Sequence, residues 1–443
     1  MPVESHASLA FDSFPPTLEQ PLWADHSGLQ VATLTTRPLL AAPLGGTPLL
    51  IGAREMDSSA DGLRHDFALR PGAHWADGSP VCAADYADAL LRAAASPTAT
   101  GYWLRHVDKV SSLGDRLHVR LSVPDFGFPH LTTLPAAAPH REVRDGPARH
   151  DGAGSYRITA CGPRTISLAR QAHAPEGLPG RLVLRRVKDP DRGLDAYAAG
   201  RVDMTSDTAF PYRRLADFAD DPALAVRQLG IVVTLCFEGA LAEPAARDRR
   251  LAIQRATATD RLAELLPAPL LPRSDFLPEQ DFPRGYAQAA RREQAPVRRA
   301  VRPRRSDALR ISYDTYYPNR EIAAAVAHLL HDAGIPTVLV PDRYENRTAG
   351  TDLRVNLFRG LHPDRLGIYR GLAFMAELRS HSTLDGYVNT LRRFDAAPAT
   401  ARSTEEAARD LTGILARDAL CVPLAEVPGV FLSRLAKPLG EWT

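Results

Sequence analysis

Alternating positions near the end of the first hundred residues predict a strand, two turns and a helix. Apolar side chains alternate over Phe67–Arg70 as they do in a half-buried strand. Pro71-Gly72 ends this run, and Asp77-Gly78 supplies a second turn in which glycine tolerates a positive φ. The next segment places one apolar stripe on a helix from about Ala83 to Ala94, formed by Tyr86, Ala89, Leu90 and Ala93.

The clearest repeating unit of strand and helix lies in the last third of the chain. Leu309–Tyr313 reads as a strand, and Asn319 can cap the helix that follows it. Gly334 ends this helix, and Ile335–Val340 is the next strand. The apolar stripe of the helix is Ile322, Val326, Leu329 and Ala333. A helix between two strands predicts that the strands are parallel.

Two further segments have a clear pattern. The β-branched run Ile231–Leu235, bounded by Gly230, predicts a buried strand. Near the end of the chain, Ser403-x-x-Glu406 predicts a capping box that opens a helix reaching about Arg417, and Leu420–Val427 predicts a returning strand.

The order of residues between Leu69 and Tyr86 is also a recognisable motif: leucine-arginine, tryptophan, aspartate-glycine, proline and a helix start. It resembles the signature of the family 5 extracellular solute-binding proteins, the oligopeptide-, dipeptide- and nickel-binding components of ABC importers. The chain departs from that signature at Cys82, where the family has a Thr or Ser cap. It keeps an acid three residues later, Asp85.

Other segments resemble the same family in the same order along the chain. The glycine of one of them, Gly200, suits a left-handed position after a helix, and Val202 and Met204 are expected to begin a strand. The segments are Thr17–Pro21, the hairpin Val107–Leu121, Gly152–Ile158, Tyr197–Met204 and the helix around Arg250–Arg261.

The resemblance implies an α/β, two-lobed periplasmic-binding-protein-like fold with an inserted small α+β domain. Lobe one is expected to comprise residues 1–45, 150–236 and 420–443, the inserted domain residues 46–149, and lobe two residues 237–419. The run Ile231–Leu235 should then cross between the lobes. Several crossings would make a hinge beneath a cleft that closes over a ligand.

Composition fits a folded, multidomain protein. The 443 residues are 44% hydrophobic, enough for a large core divided into two or three domains. A net charge of +2, from 54 basic and 52 acidic residues, gives no field that would indicate nucleic acid or a membrane surface. The cluster Arg291–Arg305 is interrupted by prolines and reads as a solvated connection. We expect a monomer without bound nucleic acid or membrane insertion.

The first residues bear on the cellular compartment. Met1–His6 shows neither an apolar signal segment nor a lipidation cysteine, and no run of about 18 apolar residues occurs. The four cysteines have neither CxxC nor zinc-ligand spacing. The expectation is a cytoplasmic protein, and the alternative is an extracytoplasmic lipoprotein whose signal has been removed, which could then meet an ABC permease.

Motifs for cofactors and metals give no positive signal. Neither a Walker A motif, a dinucleotide fingerprint, HExxH nor a nucleophile elbow can be read. His328 and His331 have a spacing that metals can use, but they favour a solvent-facing pair because no third ligand is near in sequence. His362 and His381 are equally unsupported as ligands. No cofactor and no metal are expected.

Candidate ligand-binding residues come from the resemblance. In peptide-binding relatives an acid in a loop of lobe two holds the amino terminus of the ligand, and the matching segment here is Phe358–Arg365. Asp364 is the implied acid, with an ordinary turn aspartate as the alternative. Arg359 in the same segment and Glu19 at the early turn are further candidates.

A second hypothesis concerns the crossing strand. Thr234, Cys236 and Glu238 share one face by period-2 alternation, and Glu238 stands where relatives have an Asn. A carboxyl beside a thiol on the cleft floor would be perturbed by burial and could bind ligand or, in an enzyme, act as a general acid or base with Cys236 as nucleophile. The alternative is a hinge-surface Glu and a packed Cys.

Two functions therefore remain open from the sequence. The first is binding of a peptide or peptide-like small molecule in an interlobe cleft, as the resemblance implies. The second is a cytoplasmic biosynthetic enzyme or ligand-sensing module built on the same fold, because a fold alone does not give a function.

Overall fold

The protein is described here from a computed structural model. It describes residues 6–15, 25–41, 48–142, 150–278, 308–343, 348–360, 362, 364–377 and 384–435. Glu19 therefore lies outside the described residues, as do the early turn and the arginine cluster before residue 308.

The described residues form both strands and helices. The strands are β1 (His6–Phe11), β2 (Leu40–Ala41), β3 (Leu49–Leu50), β4 (Ala53–Ser58), β5 (Arg64–Leu69), β6 (Val107–Leu113), β7 (Arg116–Leu121), β8 (His140–Glu142), β9 (His150–Gly152), β10 (Tyr156–Cys161), β11 (Thr165–Arg170), β12 (Arg181–Arg186), β13 (Leu224–Phe237), β14 (Leu271–Pro272), β15 (Leu309–Asp314), β16 (Thr337–Asp342), β17 (Leu353–Arg359) and β18 (Cys421–Leu432). The helices are α1 (His26–Thr35), α2 (Ala83–Ala94), α3 (Ala99–Leu104), α4 (Phe128–Leu131), α5 (Pro190–Ala198), α6 (Arg247–Ala256), α7 (Thr259–Ala263), α8 (Asn319–Asp332), α9 (Gly367–Glu377), α10 (Leu384–Asp395) and α11 (Ala401–Arg417).

Lobe one is built on a four-stranded sheet in the order β1-β12-β11-β10. Strands β1 and β12 are parallel, and the remaining pairs are antiparallel. Helix α1 packs its apolar side, including Val31 and Leu34, into a core with Leu9, Tyr156 and Leu182. The first turn of α1 is thereby fixed at the edge of this lobe.

The inserted domain is an antiparallel sheet in the order β4-β5-β7-β6 covered by α2. The predicted helix has the predicted bounds, Ala83–Ala94. Gly72 and Gly78 have φ of 95° and 83°, so both predicted turns use the left-handed region. The Cys82 N–H donates to Asp85 Oδ2 at 2.8 Å, so the Asp85 carboxylate supplies a hydrogen-bond acceptor at the start of the helix.

Two long strands cross between the lobes, as the run Ile231–Leu235 predicts. Strand β13 pairs with β18 along most of its length, from Leu224 to Cys236. The second half of β13 also pairs with β17 in a six-stranded sheet, β14-β18-β13-β17-β15-β16, which forms lobe two. The register of β13 shifts after Gln228, where Gly230 has a φ of 62°. This bulge bends the strand where it leaves lobe one.

The predicted β–α–β unit of lobe two is confirmed, with two differences in detail. Strands β15 and β16 are parallel and are joined by α8. Asn319 does not cap this helix: it is its first residue, is fully buried and forms no capping hydrogen bond, and Pro318 precedes it. Ala333 is exposed, so the apolar stripe ends at Leu330, which is fully buried.

Two other predictions about element ends are wrong. The capping box of α11 is formed by Thr400 and Ser403, one turn earlier than Ser403-x-x-Glu406, and Glu406 pairs instead with Arg402 at 2.9 Å. After Gly200, Met204 forms isolated bridges to Leu9 and Ser433 rather than beginning a strand. Among the described residues, no helix has the length and apolar character needed to cross a membrane.

Candidate functional site

A buried carboxylate on lobe one organises the region where the two lobes meet. Asp207 is 2% exposed and lies in the segment that follows the Met204 bridges. Gln30 Nε2 donates to its two oxygens at 3.0 and 3.1 Å, and Arg227 of β13 donates to Oδ2. Burial alone would raise the pKa of Asp207, but Arg227 and His26 outweigh it and hold that pKa well below its usual range.

Lobe two reaches this carboxylate through a histidine. His26 is the first residue of α1, which Asp25 caps by accepting the Gly28 N–H at 2.9 Å. His26 Nε2 lies 3.1 Å from Asp207 Oδ1, and Arg359 at the end of β17 donates to His26 Nδ1. Because a guanidinium only donates, Nδ1 is the acceptor of this contact. We call Arg359, His26 and Asp207 the interlobe chain.

Two more ionisable groups, those of Arg359 and Asp12, lie in the region where the two lobes meet. Arg359 is only partly exposed, and burial lowers the pKa of its guanidinium to about 10. Asp12, directly after β1, retains some exposure and accepts hydrogen bonds from Thr208 and from the Ser13 N–H. Burial raises the pKa of Asp12 although His26 opposes this. Groups that are surrounded by protein yet accessible are those of a narrow cleft, which a ligand can reach.

A second cluster lies a few residues along the same segment of lobe two. Asp364 Oδ2 accepts from Arg370 Nε at 2.8 Å, and Asp364 Oδ1 lies 3.0 Å from His362 Nδ1. Arg370 also donates to both oxygens of Asp395, at 3.0 and 2.5 Å. Burial would raise the pKa of Asp364, but Arg370 and His362 hold it well below its usual range. This cluster links His362 and Asp364 to helix α9 through Arg370 and to helix α10 through Asp395.

The segment also contacts the inserted domain. The ring of Trp103 on α3 meets the His362 ring edge to face, with centroids 5.3 Å apart. Beside this contact lies a cavity of about 620 Å³, within the range typical of small-molecule sites. It is lined on the inserted domain by Tyr102, Trp103, Arg105, His106, Ser122, Val123, Pro124, Asp125 and Leu131, and on lobe two by His362, Arg370, Ala373, Val388, Leu391, Arg392, Asp395 and Ala396.

The described residues between 358 and 364, which are 358–360, 362 and 364, therefore contact both other parts of the molecule. Arg359 faces lobe one through His26, and His362 faces the inserted domain through Trp103. We call this stretch the junction segment. An arrangement in which one segment closes against two others, beside a cavity, can enclose a small ligand rather than a flat macromolecular surface.

Comparison with known families identifies the chain. The family described as bacterial extracellular solute-binding proteins, family 5 Middle, matches residues 37–349. The chain belongs to this family. The resemblance drawn from the sequence motifs is thereby confirmed. A comparison with curated proteins gives no match.

Solved structures of family 5 proteins share the fold over nearly the whole chain. The murein tripeptide binding protein MppA of Escherichia coli is 17% identical, with a TM-score of 0.78 over 97% of this chain and 94% of that one. OppA of Haemophilus influenzae, in complex with RPPGFSPFR, is 17% identical, with a TM-score of 0.77 over 97% and 94%. OppAIV of Borrelia burgdorferi is 16% identical, with a TM-score of 0.79 over 99% and 98%. The predicted two-lobed α/β fold is confirmed.

Glu238 lies at the end of β13 that is remote from the lobe junction, and its role in ligand binding or catalysis stays a prediction. Glu238 follows the far end of β13, next to Phe237, which pairs with Leu353, whereas Arg359 and the lobe junction lie at the other end, beside Ile231. Its Oε1 accepts from Arg354 Nε at 2.6 Å, and its Oε2 accepts from Thr351. The carboxylate is part of the sheet's own ion-pair network.

This placement gives a prediction. Glu238→Gln is expected to lower the free energy of unfolding by about 1–3 kcal/mol, because Arg354 is buried and, among the described residues, keeps Asp342, at 2.6 Å, as its one acidic partner. Ligand affinity should not change. Urea denaturation measures the stability and calorimetry measures the ligand affinity. Glu405→Gln, which removes an exposed carboxylate, is the control. A large loss of affinity at unchanged stability would restore Glu238 to the site.

Cys236 is a packed thiol. It is 8% exposed and pairs in register with Cys421 of β18, which is also buried. Both lie within lobe two's sheet, far along β13 from the interlobe chain. This burial favours the packed-cysteine alternative, and a nucleophilic role for Cys236 stays a prediction.

The other candidate residues have different outcomes. Arg359 lies in the interlobe chain, where a ligand entering the cleft would meet it. The carboxylate of Asp364 is already held by Arg370 and His362, and its recognition of a ligand ammonium stays a prediction. Glu19 lies outside the described residues.

No pattern in the sequence indicates His26, Asp207, Arg227 or Asp12. His26 is 181 residues from Asp207 and 333 residues from Arg359, so neither periodicity nor spacing relates them. The signal available was the helix start itself. Asp25 is a capping residue directly before an apolar run, which places His26 in the first turn of a helix at the edge of lobe one.

Proposed function

We propose that this chain binds a peptide or peptide-like small molecule in the cleft between its lobes. The observation that carries the proposal is the junction segment, which contacts lobe one through Arg359 and the inserted domain through His362, beside the cavity of about 620 Å³. A ligand seated there would touch all three parts and stabilise their closed arrangement.

The relatives support the peptide class. OppA of Haemophilus influenzae is described in complex with RPPGFSPFR, and MppA is described as a murein tripeptide binding protein. A Helicobacter pylori relative, DppA, is described as ABC transporter-associated and in complex with the peptide STSA. We extend the same role to this chain, as the solute-binding component that delivers its ligand to an ABC permease, and the proposal therefore takes the extracytoplasmic alternative for its location.

The lining of the cavity indicates what part of a ligand it would hold. Leu131, Ala373, Val388 and Leu391 give it apolar walls, and Arg105 stacks over the Tyr102 ring at 3.7 Å. Apolar walls with a few polar groups suit an amino-acid side chain, while the polar interlobe chain suits the ionic end of a small ligand.

Filling the cavity tests the proposal. Val388→Trp adds an indole to a half-buried position on the cavity wall, and we expect it to weaken peptide binding by on the order of tenfold or more. The measurement is calorimetry with a defined tripeptide library screened first by thermal shift. Leu113→Trp, at a residue that is 78% exposed, is the control and should bind as the wild type does.

Two results would count against the proposal. If no member of the library raises the melting temperature of the wild type or binds in calorimetry, peptide binding is not the function. If Val388→Trp binds with unchanged affinity while remaining folded by circular dichroism, the ligand does not use this cavity.

A further inference from the structure

We propose that Cys236 and Cys421 form a disulfide bond when the protein folds in an oxidising compartment. The two thiols lie opposite each other on β13 and β18, the strands that cross between the lobes. This inference goes beyond ligand binding, and it rests on the proposed function only for the compartment, because stable disulfides form mainly outside the cytoplasm. It assigns a covalent modification site to the sheet of lobe two.

The first argument concerns the register of β13 and β18. The two strands are antiparallel, and their register runs without a shift from Thr234 to Cys236. Pro423 lies opposite Thr234, and two positions further Cys421 lies opposite Cys236. Residues that lie directly opposite each other in an antiparallel pair have their side chains on the same face of the sheet. The two Sγ atoms are therefore on one face.

The second argument concerns the distance between the two backbones. An antiparallel ladder alternates hydrogen-bonded pairs with narrower pairs, whose Cα atoms are about 4.5 Å apart. The Glu238 N–H donates to the carbonyl of Asp352, directly before β17, at 2.8 Å. Because N–H groups alternate between the two edges of a strand, the Cys236 N–H also points toward β17 and away from Cys421. Cys236 and Cys421 are therefore a narrow pair.

The proline on β18 agrees with this assignment. Pro423 has no N–H, so it cannot exchange two hydrogen bonds with Thr234, and that pair is also of the narrow kind. The pair of cysteines is two positions away and has the same phase. In disulfides the Cα atoms are usually about 4.4–6.8 Å apart, and the spacing of a narrow pair falls within this range.

Burial would protect the bond once it has formed. Cys236 is 8% exposed and Cys421 is 7% exposed, so a thiol reductant in solution has little access to either sulfur. The other two cysteines differ in this respect. Cys82, before α2, and Cys161, at the end of β10, are both exposed. They serve as internal controls for the reactivity of an exposed thiol.

The position of the pair in the chain gives the bond a large expected effect. Cys236 precedes, and Cys421 follows, the part of the chain that contributes β14 to β17 and α6 to α11. A bond between them closes residues 237–420 into one loop. Cross-linking the two ends of so long a loop removes much conformational freedom from the unfolded chain. The folded state, in which the two strands already pair, loses little.

The reaction is a thiol–disulfide exchange, and its oxidant is a second disulfide, such as oxidised glutathione. The thiolate of one cysteine attacks a sulfur of the oxidant, which forms a mixed disulfide and releases one thiol. The thiolate of the other cysteine then attacks the sulfur of the first cysteine and displaces the second thiol. The two cysteines together lose two protons and two electrons, and the oxidant is reduced to two thiols.

Peptide mapping of the intact wild-type protein tests the bond directly. The protein is incubated with an excess of oxidised or of reduced glutathione, in urea below its unfolding midpoint, so that the sheet opens transiently. It is then quenched with acid, unfolded, alkylated and digested without reductant. We expect the peptides that contain Cys236 and Cys421 to be linked after oxidation and alkylated after reduction. Cys82 and Cys161 should be absent from linked peptide pairs.

Thermal unfolding measures what the bond contributes to stability. The oxidised wild type should melt about 5 °C higher than the reduced form. Cys421→Ala should melt at the same temperature in both buffers, whereas Cys161→Ala, at an exposed position, should keep the difference. Circular dichroism checks that each variant is folded, and if Cys421→Ala is not, peptide mapping of the wild type decides.

The outcomes separate this inference from the proposed function. If both cysteines are alkylated after oxidation, or if either is linked to Cys82 or Cys161, the proposed bond is overturned. A linked pair without a change in melting temperature overturns the argument from the closed loop. Peptide affinity should be equal in the two forms, because the pair lies at the end of β13 remote from Arg359. A failure of peptide binding therefore leaves this test intact.

Discussion

Replacement of Arg370 by methionine is expected to lower the free energy of unfolding by about 3–5 kcal/mol at neutral pH. Arg370 is 8% exposed and donates to two carboxylates, those of Asp364 and Asp395. Methionine fills much of the volume but leaves both acids without their cation. The penalty arises from two desolvated charges and not from a cavity.

The effect should depend on pH in a defined direction. The pKa of Asp364 is depressed in the folded wild type, so its ion pair stabilises the fold above the unfolded pKa, and this contribution is lost as the pH falls. In Arg370→Met the burial of Asp364 is no longer outweighed, so that carboxyl should protonate more readily. The difference in free energy of unfolding between variant and wild type should therefore narrow as the pH falls, beginning above the ordinary aspartate pKa of about 4.

Urea denaturation at a series of pH values measures this difference. Arg402→Met is the control, because Arg402 is 89% exposed and its pair with Glu406 lies on the surface of α11, where such pairs contribute little. If Arg370→Met lowers the free energy of unfolding no more than this control does, or if that loss is independent of pH, the buried ion-pair cluster does not stabilise the junction segment.

The elements that the sequence predicts best are those whose signal is local. Helix α2 has the predicted bounds because an apolar stripe and a turn glycine, Gly78, define it within twenty residues. The unit β15-α8-β16 is predicted for the same reason, since Gly334 ends its helix with a φ of 76°. The family-level fold follows from the order of such units and needs no long-range contact to be recognised.

Helix starts are less well predicted because several caps compete. Thr400 and Ser403 are both capping residue types, and the sequence alone does not tell which of them stands outside the first turn. Asn319 is a favourable cap by type, but in the fold it is fully buried inside α8's first turn. Burial in the tertiary structure decides which residue begins the helix. The local preferences of residue types carry no information about that burial.

The site is predicted least, because it is made by contacts across the whole chain. The alternation of β13 puts Cys236 on this strand and Glu238 directly after it, but it does not show which end of the strand faces lobe one. That depends on Arg359 meeting His26, a contact between residues 333 positions apart. A charge on the sheet's outer end, such as Glu238, looks the same in sequence as one on the cleft.

Substitution of Gly367 by alanine is the second change with a large expected effect. Gly367 begins α9, and a Cβ there would lie 2.1 Å from the backbone oxygen of His362 and 3.2 Å from the Cα of Gly360. These are backbone atoms, so the junction segment itself would have to move. We expect a loss of about 2–4 kcal/mol in the free energy of unfolding, together with weaker ligand binding.

A glycine one turn later gives the matched control. A Cβ on Gly371, also in α9, would meet nothing within 4 Å. Gly371→Ala should therefore leave ligand affinity unchanged and keep or raise stability, by up to about 1 kcal/mol, because alanine favours the helix. Urea denaturation and calorimetry on both variants make the comparison. Equal stabilities of the two variants would show that the fold does not require the close approach of α9 to His362. Weaker ligand binding in Gly367→Ala alone would show that ligand recognition depends on the position of the junction segment.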